Sequence, residues 1–508
     1  MTSPISRPAP RARRAPGRRP AGDGGQATAA LPLVIGGERR ETGAVVESRD
    51  PAHPETVVGT VAAASPGDVR DAFAAARAAA DGWRRTPGPA RGEILFRAAE
   101  IVAARAEQLA TELTREEGKT LREARAEVAR GVAVLRYHAG EASRRGGAVY
   151  PSASHERLLY SVREPLGVVG VITPWNFPIA IPLWKLAPAL AHGNAVVFKP
   201  SEVTPLGGFR VAEALIEAGL PDGVLNVVCG DPEQIGGAVA GDRELDGLSF
   251  TGSVRVGDLL RRRAAESRVK LQLELGGKNP VIVLDDADLD LAVAETVRGA
   301  LHATGQKCTA TSRVLVTPGI VDAFVERLLR AAGALRVGDP LDPATAIGPL
   351  VSGAQHARFE QYLAVAAQEG HELALGGRRE RADGDGWFVS PTVCLDVDPA
   401  SRIGREEVFG PLVAVMPVDD LDAALAVADA VEFGLSASLF TRDVGQALRF
   451  AREVRAGMVH VNSETTGAEP QAPFGGMKAS SAGYREQGDA AAEFFTHLKT
   501  VNVDPPRA

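Results

Sequence analysis

The sequence predicts an α/β fold built in two successive series, and three observations carry that reading. From residue 166 onward, short β-rich apolar runs alternate with helix-periodic stretches, as in parallel sheets covered by helices. A second series of the same kind opens at residues 280–284, Pro-Val-Ile-Val-Leu. Between them the paired Gly276–Gly277 make a hinge-capable turn, so a domain boundary is placed there. At 508 residues the chain is too long for one simple core, and two or three domains are expected.

Residues 1 to about 30 are rich in Pro, Ala and Gly, with six Arg before Asp23, and lack any helical or strand periodicity. They read as a disordered tail. Arg13–Arg14 and Arg18–Arg19 do not begin an export signal, because no apolar core of roughly 7–15 residues follows. Leu33–Val34–Ile35–Gly36–Gly37 reads as a short strand and turn. Helices are expected over 65–84 and 90–116, each opened by a Ser/Thr-Pro cue, and over the amphipathic 121–142. The pattern then turns strand-like over 147–163, which suits a β-hairpin arm. In the first series, strands are expected at 167–173, 195–199, 224–229, 248–251 and 269–273. Helices fall between them at 182–191, 206–218, 233–240 and 256–266. The second series adds helices at 289–303, 321–335 and 359–369 and a strand at 313–317. Residues 166–191 are apolar, yet Pro174, Asn176, Pro178, Pro182, Lys185 and Pro188 interrupt them, which argues against a membrane span.

Composition is that of a globular protein, 45% hydrophobic and 24% charged, with a net charge of only −7. Nothing in it suggests a nucleic-acid or membrane-surface protein. Cys229, Cys308 and Cys394 are far apart, with no CxxC or His pairing. A disulfide framework or metal site is therefore not expected, and a reducing cytoplasm is the natural compartment.

Cys308 lies in Gly305–Gln306–Lys307–Cys308–Thr309–Ala310, a small, polar stretch between a helix-like and a β-rich run. A lone cysteine is ordinarily a small buried hydrophobe. Its company changes that reading. Glu274 stands in Leu-Glu-Leu-Gly-Gly-Lys (273–278) and Asn176 in Thr-Pro-Trp-Asn-Phe-Pro (173–178), each polar in an apolar or glycine-rich setting. Nucleophile, carboxylate base and amide donor are the parts that an acyl-transfer site requires. Of the eight lysines, Lys199, Lys278, Lys307 and Lys478 all fall in such motif-like stretches, where a compact point charge matters.

Phe250–Thr251–Gly252–Ser253, with Gly257 beyond, reads as a strand–turn–helix opening whose free N–H groups suit a pyrophosphate. It is not a GxGxxG fingerprint, and an ordinary helix cap explains it equally well. Lys199–Pro200–Ser201–Glu202 closes a strand at its carboxyl end, where open α/β sheets bind ligands. Lys199 and Glu202 could bond ribose hydroxyls, and Glu202 would repel a 2′-phosphate; solvated surface charge is the plainer alternative.

To these motifs are added Glu407–Val408–Phe409–Gly410–Pro411 and Pro473–Phe474–Gly475–Gly476–Met477–Lys478. In this order they resemble the NAD(P)-dependent aldehyde dehydrogenase superfamily, from about Leu33 to Val503. The resemblance implies an aldehyde dehydrogenase-like fold. A Rossmann-like NAD(P)-binding domain would span 31–142 and 164–276, and a catalytic domain 277–478. An oligomerisation arm with the C-terminal segment would take 143–163 and 479–508. A homodimer or homotetramer follows from that arm.

By the same resemblance, the Cys308 thiolate attacks an aldehyde. The Asn176 amide and the Cys308 backbone N–H hold the oxyanion, a donor arrangement worth about 3–4 kcal/mol per member. Hydride passes to the nicotinamide, and Glu274 activates water against the thioester. Lys185 is implied as an active-site support. Glu407 and Phe409 would hold the nicotinamide ribose side, Lys199 and Glu202 the adenosine ribose, and Gly252 and Ser253 the pyrophosphate. Thr173, Trp175, Ser201 and Leu275 are implied as further cofactor contacts. NAD is favoured, with NADP possible. Glu274 points to release of the free acid, since coenzyme-A-acylating relatives usually lack that base.

Residues 175–182, 461–469, 484–488 and 493–496 add a finer likeness to bacterial α-ketoglutaric semialdehyde dehydrogenases. A pocket for that substrate needs a cation; Arg157 and Arg163 are candidates no stronger than arm residues. Thr465, Thr466 and Glu469 are expected on a loop at the pocket mouth. Lys478–Ala479–Ser480–Ser481–Ala482–Gly483 departs from the family's usual Ser-Gly, and is expected to affect the C-terminal loop rather than the chemistry. Competing readings are the same chemistry on an aldehyde of secondary metabolism, a reductase of an activated acid, and a catalytically silent scaffold. The intact Cys308, Glu274 and Asn176 argue against the last.

Overall fold

The computed structural model describes residues 30–144, 146–378 and 385–506. The tail expected over residues 1 to about 30 lies, except for Ala30, outside the described residues. Two large sheets dominate. The first has eight strands, with a parallel centre of Leu225–Val227, Ala195–Lys199, Val168–Ile172, Gly247–Thr251 and Lys270–Glu274. Leu33–Ile35 and Glu38–Arg40 extend one edge, and Ser481–Ala482 closes the other, antiparallel to Lys270–Glu274. The second sheet has seven strands, and Asn279–Val283 and Thr311–Val316 are parallel neighbours at its centre.

The central strands are buried on both faces, which is why they read as continuous apolar runs rather than alternating ones. Helix starts follow side-chain chemistry. Ser65 opens Pro66–Arg85 with a reciprocal capping box to Asp68, and Thr120 opens Leu121–Glu141 with one to Glu123. The single helix expected over 90–116 is instead two, Gly88–Ala104 and Ala106–Glu117. Arg105 leaves helical geometry (φ −100°, ψ 13°), and its guanidinium pairs with Glu217 at 2.7 Å. A hairpin of Val45–Asp50 with His53–Ala62 was not anticipated; its half-exposed, charge-studded strands carry no clear alternation.

A third sheet orders Thr496–Val503, Leu158–Pro165 and Val149–Tyr150. The helix before it, Ala490–Phe495, packs Ala491, Phe494 and Phe495 into the core of the first sheet. Among the described residues no helix is long and apolar enough to cross a membrane.

The strand order positions the site. The carboxyl ends of four parallel strands of the first sheet lead into Thr173, Pro200, Gly252 and Leu275. The chain then crosses through Gly276–Gly277 to Asn279, the first residue of a central strand in the second sheet. Cys308 precedes the neighbouring strand Thr311–Val316. Carboxyl ends of one sheet and amino ends of the other therefore share a seam.

Candidate active site

The loop carrying Cys308 has a conformation that its sequence does not favour. Ala303, Thr304 and Gly305 all have positive φ (53°, 52° and 66°). For Ala and Thr this is costly and persists only where surroundings impose it. Glu123 Oε1 accepts from the Ala303 N–H at 2.7 Å, and Thr304 Oγ1 donates to the Gly348 carbonyl at 3.2 Å. A Cβ on Gly305 would lie 2.2 Å from the Gly410 carbonyl oxygen, so only glycine admits that approach.

Past the turn, successive carbonyls are pinned. Asn176 Nδ2 donates to the Gln306 carbonyl (2.9 Å). Asn279 Nδ2 donates to those of Cys308 (2.8 Å) and Ala310 (2.9 Å), and Thr465 Oγ1 to that of Thr309 (2.8 Å). Thr465 is thus a buried support of the nucleophile loop, not a residue of a pocket mouth; Glu469 is exposed. Cys308 is half-buried, and burial, Glu407 and Glu274 push its thiol up to about 12. It rests protonated, and attack requires a group to take that proton.

Glu274 ends its strand, 2% exposed. Its Oε2 accepts from Ser481 Oγ at 2.6 Å, while Oε1 has no hydrogen-bond partner. Burial and the Glu486 carboxylate push it well above the usual carboxylate range, against Ser481, Lys185 and Arg485. An unpartnered, raised carboxylate beside a thiol is a chemical base in waiting. Lys185 is fully buried and bonds Glu486 and Ser249 Oγ (2.9 Å).

Lys199 Nζ donates to Glu202 Oε2 at 3.1 Å at the mouth of the first sheet. Ser201 Oγ accepts from the Val203 N–H (3.2 Å), and the buried Thr173 Oγ1 has no partner. The Gly252 N–H donates to the Glu274 carbonyl (3.1 Å), tying the two loops. Ser253 Oγ caps Val254–Ala265 by accepting from Val256 N–H (3.4 Å), and Leu275 packs beneath Gly257 in that helix. Glu407 Oε1 accepts from the Gly277 N–H at 2.9 Å, and a Cβ on Gly276 would come within 2.4 Å of its other oxygen. The Phe409 ring stands edge-on to Trp175, with centroids 5.3 Å apart.

These residues fit a dinucleotide. An acidic residue and a lysine stand at one strand end, a capped helix begins at the next, and a carboxylate and an aromatic pair lie beside the cysteine. Arg157 and Arg163 are elsewhere, held on the third sheet by Asp504 (2.7 Å) and by Glu493 and Thr496. Glu486, Asn279 and Ser481 belong to the site yet were not singled out as site residues. Asn279, polar at the head of an apolar strand, was the visible signal. Ser481 lies in the 478–483 departure, expected to affect only the C-terminal loop, and nothing local marks Glu486 as a site residue. Among the described residues no His/Cys/Asp/Glu group could hold a metal ion.

Two α/β sheets meeting at a cysteine, with a strand-end lysine and carboxylate, a capped helix and an aromatic pair around it, define an oxidoreductase of the NAD(P)-linked kind. The pattern described as "Aldehyde dehydrogenase family" matches residues 38–501, and the chain belongs to that family. It is 45% identical to the α-ketoglutaric semialdehyde dehydrogenase of Bacillus subtilis, over 93% of this chain and 97% of that one. It is 46% identical to the α-ketoglutarate semialdehyde dehydrogenase of Haloferax volcanii, over 91% and 96%. The solved structure of an NAD-dependent aldehyde dehydrogenase from Sinorhizobium meliloti superposes with a TM-score of 0.92 at 40% identity, covering 95% of this chain and 96% of that one.

Proposed function

We propose that this enzyme oxidises a small semialdehyde, α-ketoglutaric semialdehyde first among them, to the free acid with NAD. The observation that carries the reading is the convergence of Cys308, Asn176 and Glu274 on one pinned loop. Two relatives named for that semialdehyde support the substrate.

Cys308 Sγ attacks the aldehyde carbon, its proton passing to solvent water as the C–S bond forms and the carbonyl oxygen takes the negative charge. The oxyanion meets the Asn176 Nδ2–H not spent on Gln306 and the Cys308 backbone N–H. When bound, the nicotinamide supplies the hydride acceptor that turns the thiohemiacetal into a thioester. Glu274 then takes a proton from water, whose oxygen attacks the thioester carbon; the C–S bond breaks, the acid leaves, and Glu274 returns the proton to the Cys308 sulfur. Burial raises the proton affinity of Glu274 most, Glu486 raises it further, and Ser481 and Lys185 lower it. Glu407 and Phe409 would orient the nicotinamide ribose, Lys199, Ser201 and Glu202 the adenosine ribose. Thr173, Trp175, Gly252, Ser253 and Leu275 would line the remainder. Glu202 favours NAD, because its carboxylate would meet a 2′-phosphate.

Residues 31–142 and 164–276 form the cofactor domain in this reading, 277–478 the catalytic domain, and 143–163 with 479–508 the arm and C-terminal segment. Val149 (74% exposed) and Leu498 (59%) leave apolar surface on the third sheet, which supports a homodimer or homotetramer. Three free cysteines suit a reducing cytoplasm.

The test is NAD(P)H formation with α-ketoglutaric, succinic and glutaric semialdehydes and betaine aldehyde. A kcat/KM preference of about a hundredfold for the first, ~2.7 kcal/mol, would support the substrate. Flat, weak rates would remove it.

A further inference from the structure

We propose that the buried Lys119–Glu127 ion pair is the positioning unit that aims Asn176 at the oxyanion. The inference rests on the oxyanion role given to Asn176 above. Lys119 is 2% exposed, on the short link between Ala106–Glu117 and Leu121–Glu141. Its Nζ lies 2.5 Å from Glu127 Oε2 and donates to the Asn176 backbone carbonyl at 2.7 Å. The same ammonium sits 4.1 Å above the centroid of the Phe177 ring. Glu127 completes the clamp from below, its Oε1 accepting from the N–H groups of Ile179 (2.9 Å) and Ala180 (3.1 Å). Ala180 begins the helix Ala180–Ala191 that carries Lys185.

One ion pair therefore grips residues 176–180 at both ends. Holding the Asn176 carbonyl fixes its Cα–Cβ direction, and the Gln306 carbonyl then fixes the amide. One turn earlier on the same helix, Glu123 holds the Ala303 N–H of the nucleophile loop. The stretch from Lys119 to Glu127 thus grips the oxyanion donor and the cysteine loop together and sets the spacing between them. Burial opposes charge on Lys119, but Glu117 and Glu127 keep it protonated, so the bond to the Asn176 carbonyl stays charge-assisted. An apolar filler would pack this space as well. A charged pair with directed bonds to three backbone groups is arranged for geometry.

The test is a double-mutant cycle on the pre-steady-state NADH burst, with NAD affinity and thermal melting followed in parallel. The Lys119→Met/Glu127→Gln enzyme removes both charges of the pair; Glu117, 3.7 Å from the Lys119 ammonium and already pushed up to about 8 by burial, then holds its proton, and Gln keeps an acceptor for Ile179 and Ala180. Its burst should slow by roughly 10- to 100-fold, as expected of a misplaced catalytic group, with NAD affinity unchanged. In an Asn176→Ala background the same pair of changes should cost nothing further. Glu127→Gln alone, a milder change, should show the same pattern with a smaller loss. An equal loss in both backgrounds, or an undiminished burst, would overturn the proposal. An undiminished burst in Asn176→Ala itself would instead overturn the oxyanion reading beneath it.

Discussion

Ser481 Oγ donates to Glu274 Oε2 across 2.6 Å, joining the base to a residue 207 positions further along the chain. The two are register partners where Ser481–Ala482 runs antiparallel to Lys270–Glu274. The C-terminal departure from the family pattern, expected to leave the chemistry alone, therefore touches the base directly. Its bond favours the ionised carboxylate, against burial and Glu486, which oppose it. Ser481→Ala should let the Glu274 pKa rise further, so less of the base is ionised at a given pH. The acid limb of kcat should then move to higher pH, and a limb that stays in place in the pH–rate profile would contradict this.

Cys308→Ala should lower turnover by at least about ten-thousandfold while NAD still binds, since every covalent step runs through that sulfur. Stopped-flow hydride transfer and cofactor fluorescence quenching measure the two halves separately. Retained turnover would mean that the nucleophile is misassigned.

Glu202→Gln should move the kcat/KM ratio toward NADP by about tenfold or more, ~1.4 kcal/mol, because the clash with a 2′-phosphate is removed. The Lys199 amine, freed from its 3.1 Å contact, would then face that phosphate. An unchanged ratio would place cofactor choice elsewhere.

His138 is 1% exposed, neither ring nitrogen has a hydrogen-bond partner, and burial depresses its pKa to about 3. The unfolded chain binds this proton near pH 6.5, the folded chain only near 3. Stability is therefore full above pH 6.5 and falls as pH drops toward 3. In His138→Leu the loss of melting temperature between pH 7.5 and 5 should shrink. An identical loss in both proteins would show that the histidine contributes nothing.

Much of the fold could be read from the chain because its signals are local. Val168–Ile172 and Ala195–Lys199 announce themselves as apolar runs, and Ser65 and Thr120 as helix caps. Arg105 shows the limit, since apolar spacing continues through a break that its own backbone makes. Cys308, Glu274 and Asn176 stood out as polar residues in apolar or glycine-rich settings. Glu486 and Lys119 did not, and Thr465 read as a pocket-mouth residue rather than a support of the cysteine loop, because their roles come from partners at the far end of the chain or in another sheet. A buried salt bridge such as Lys119 with Glu127 looks in sequence like two exposed charges on a helix.

A thioester on Cys308, hydrolysed with Glu274 as base, is the intermediate on which the mechanism turns. The most direct measurement is the time course of Glu274→Gln mixed with NAD and α-ketoglutaric semialdehyde, followed by acid quench and intact mass. One equivalent of NADH should form in a burst close to the wild-type rate, followed by turnover at least about a hundredfold slower. The trapped protein should carry the acyl mass on the peptide containing Cys308. Wild-type turnover with no burst and no acylated Cys308 would contradict this mechanism.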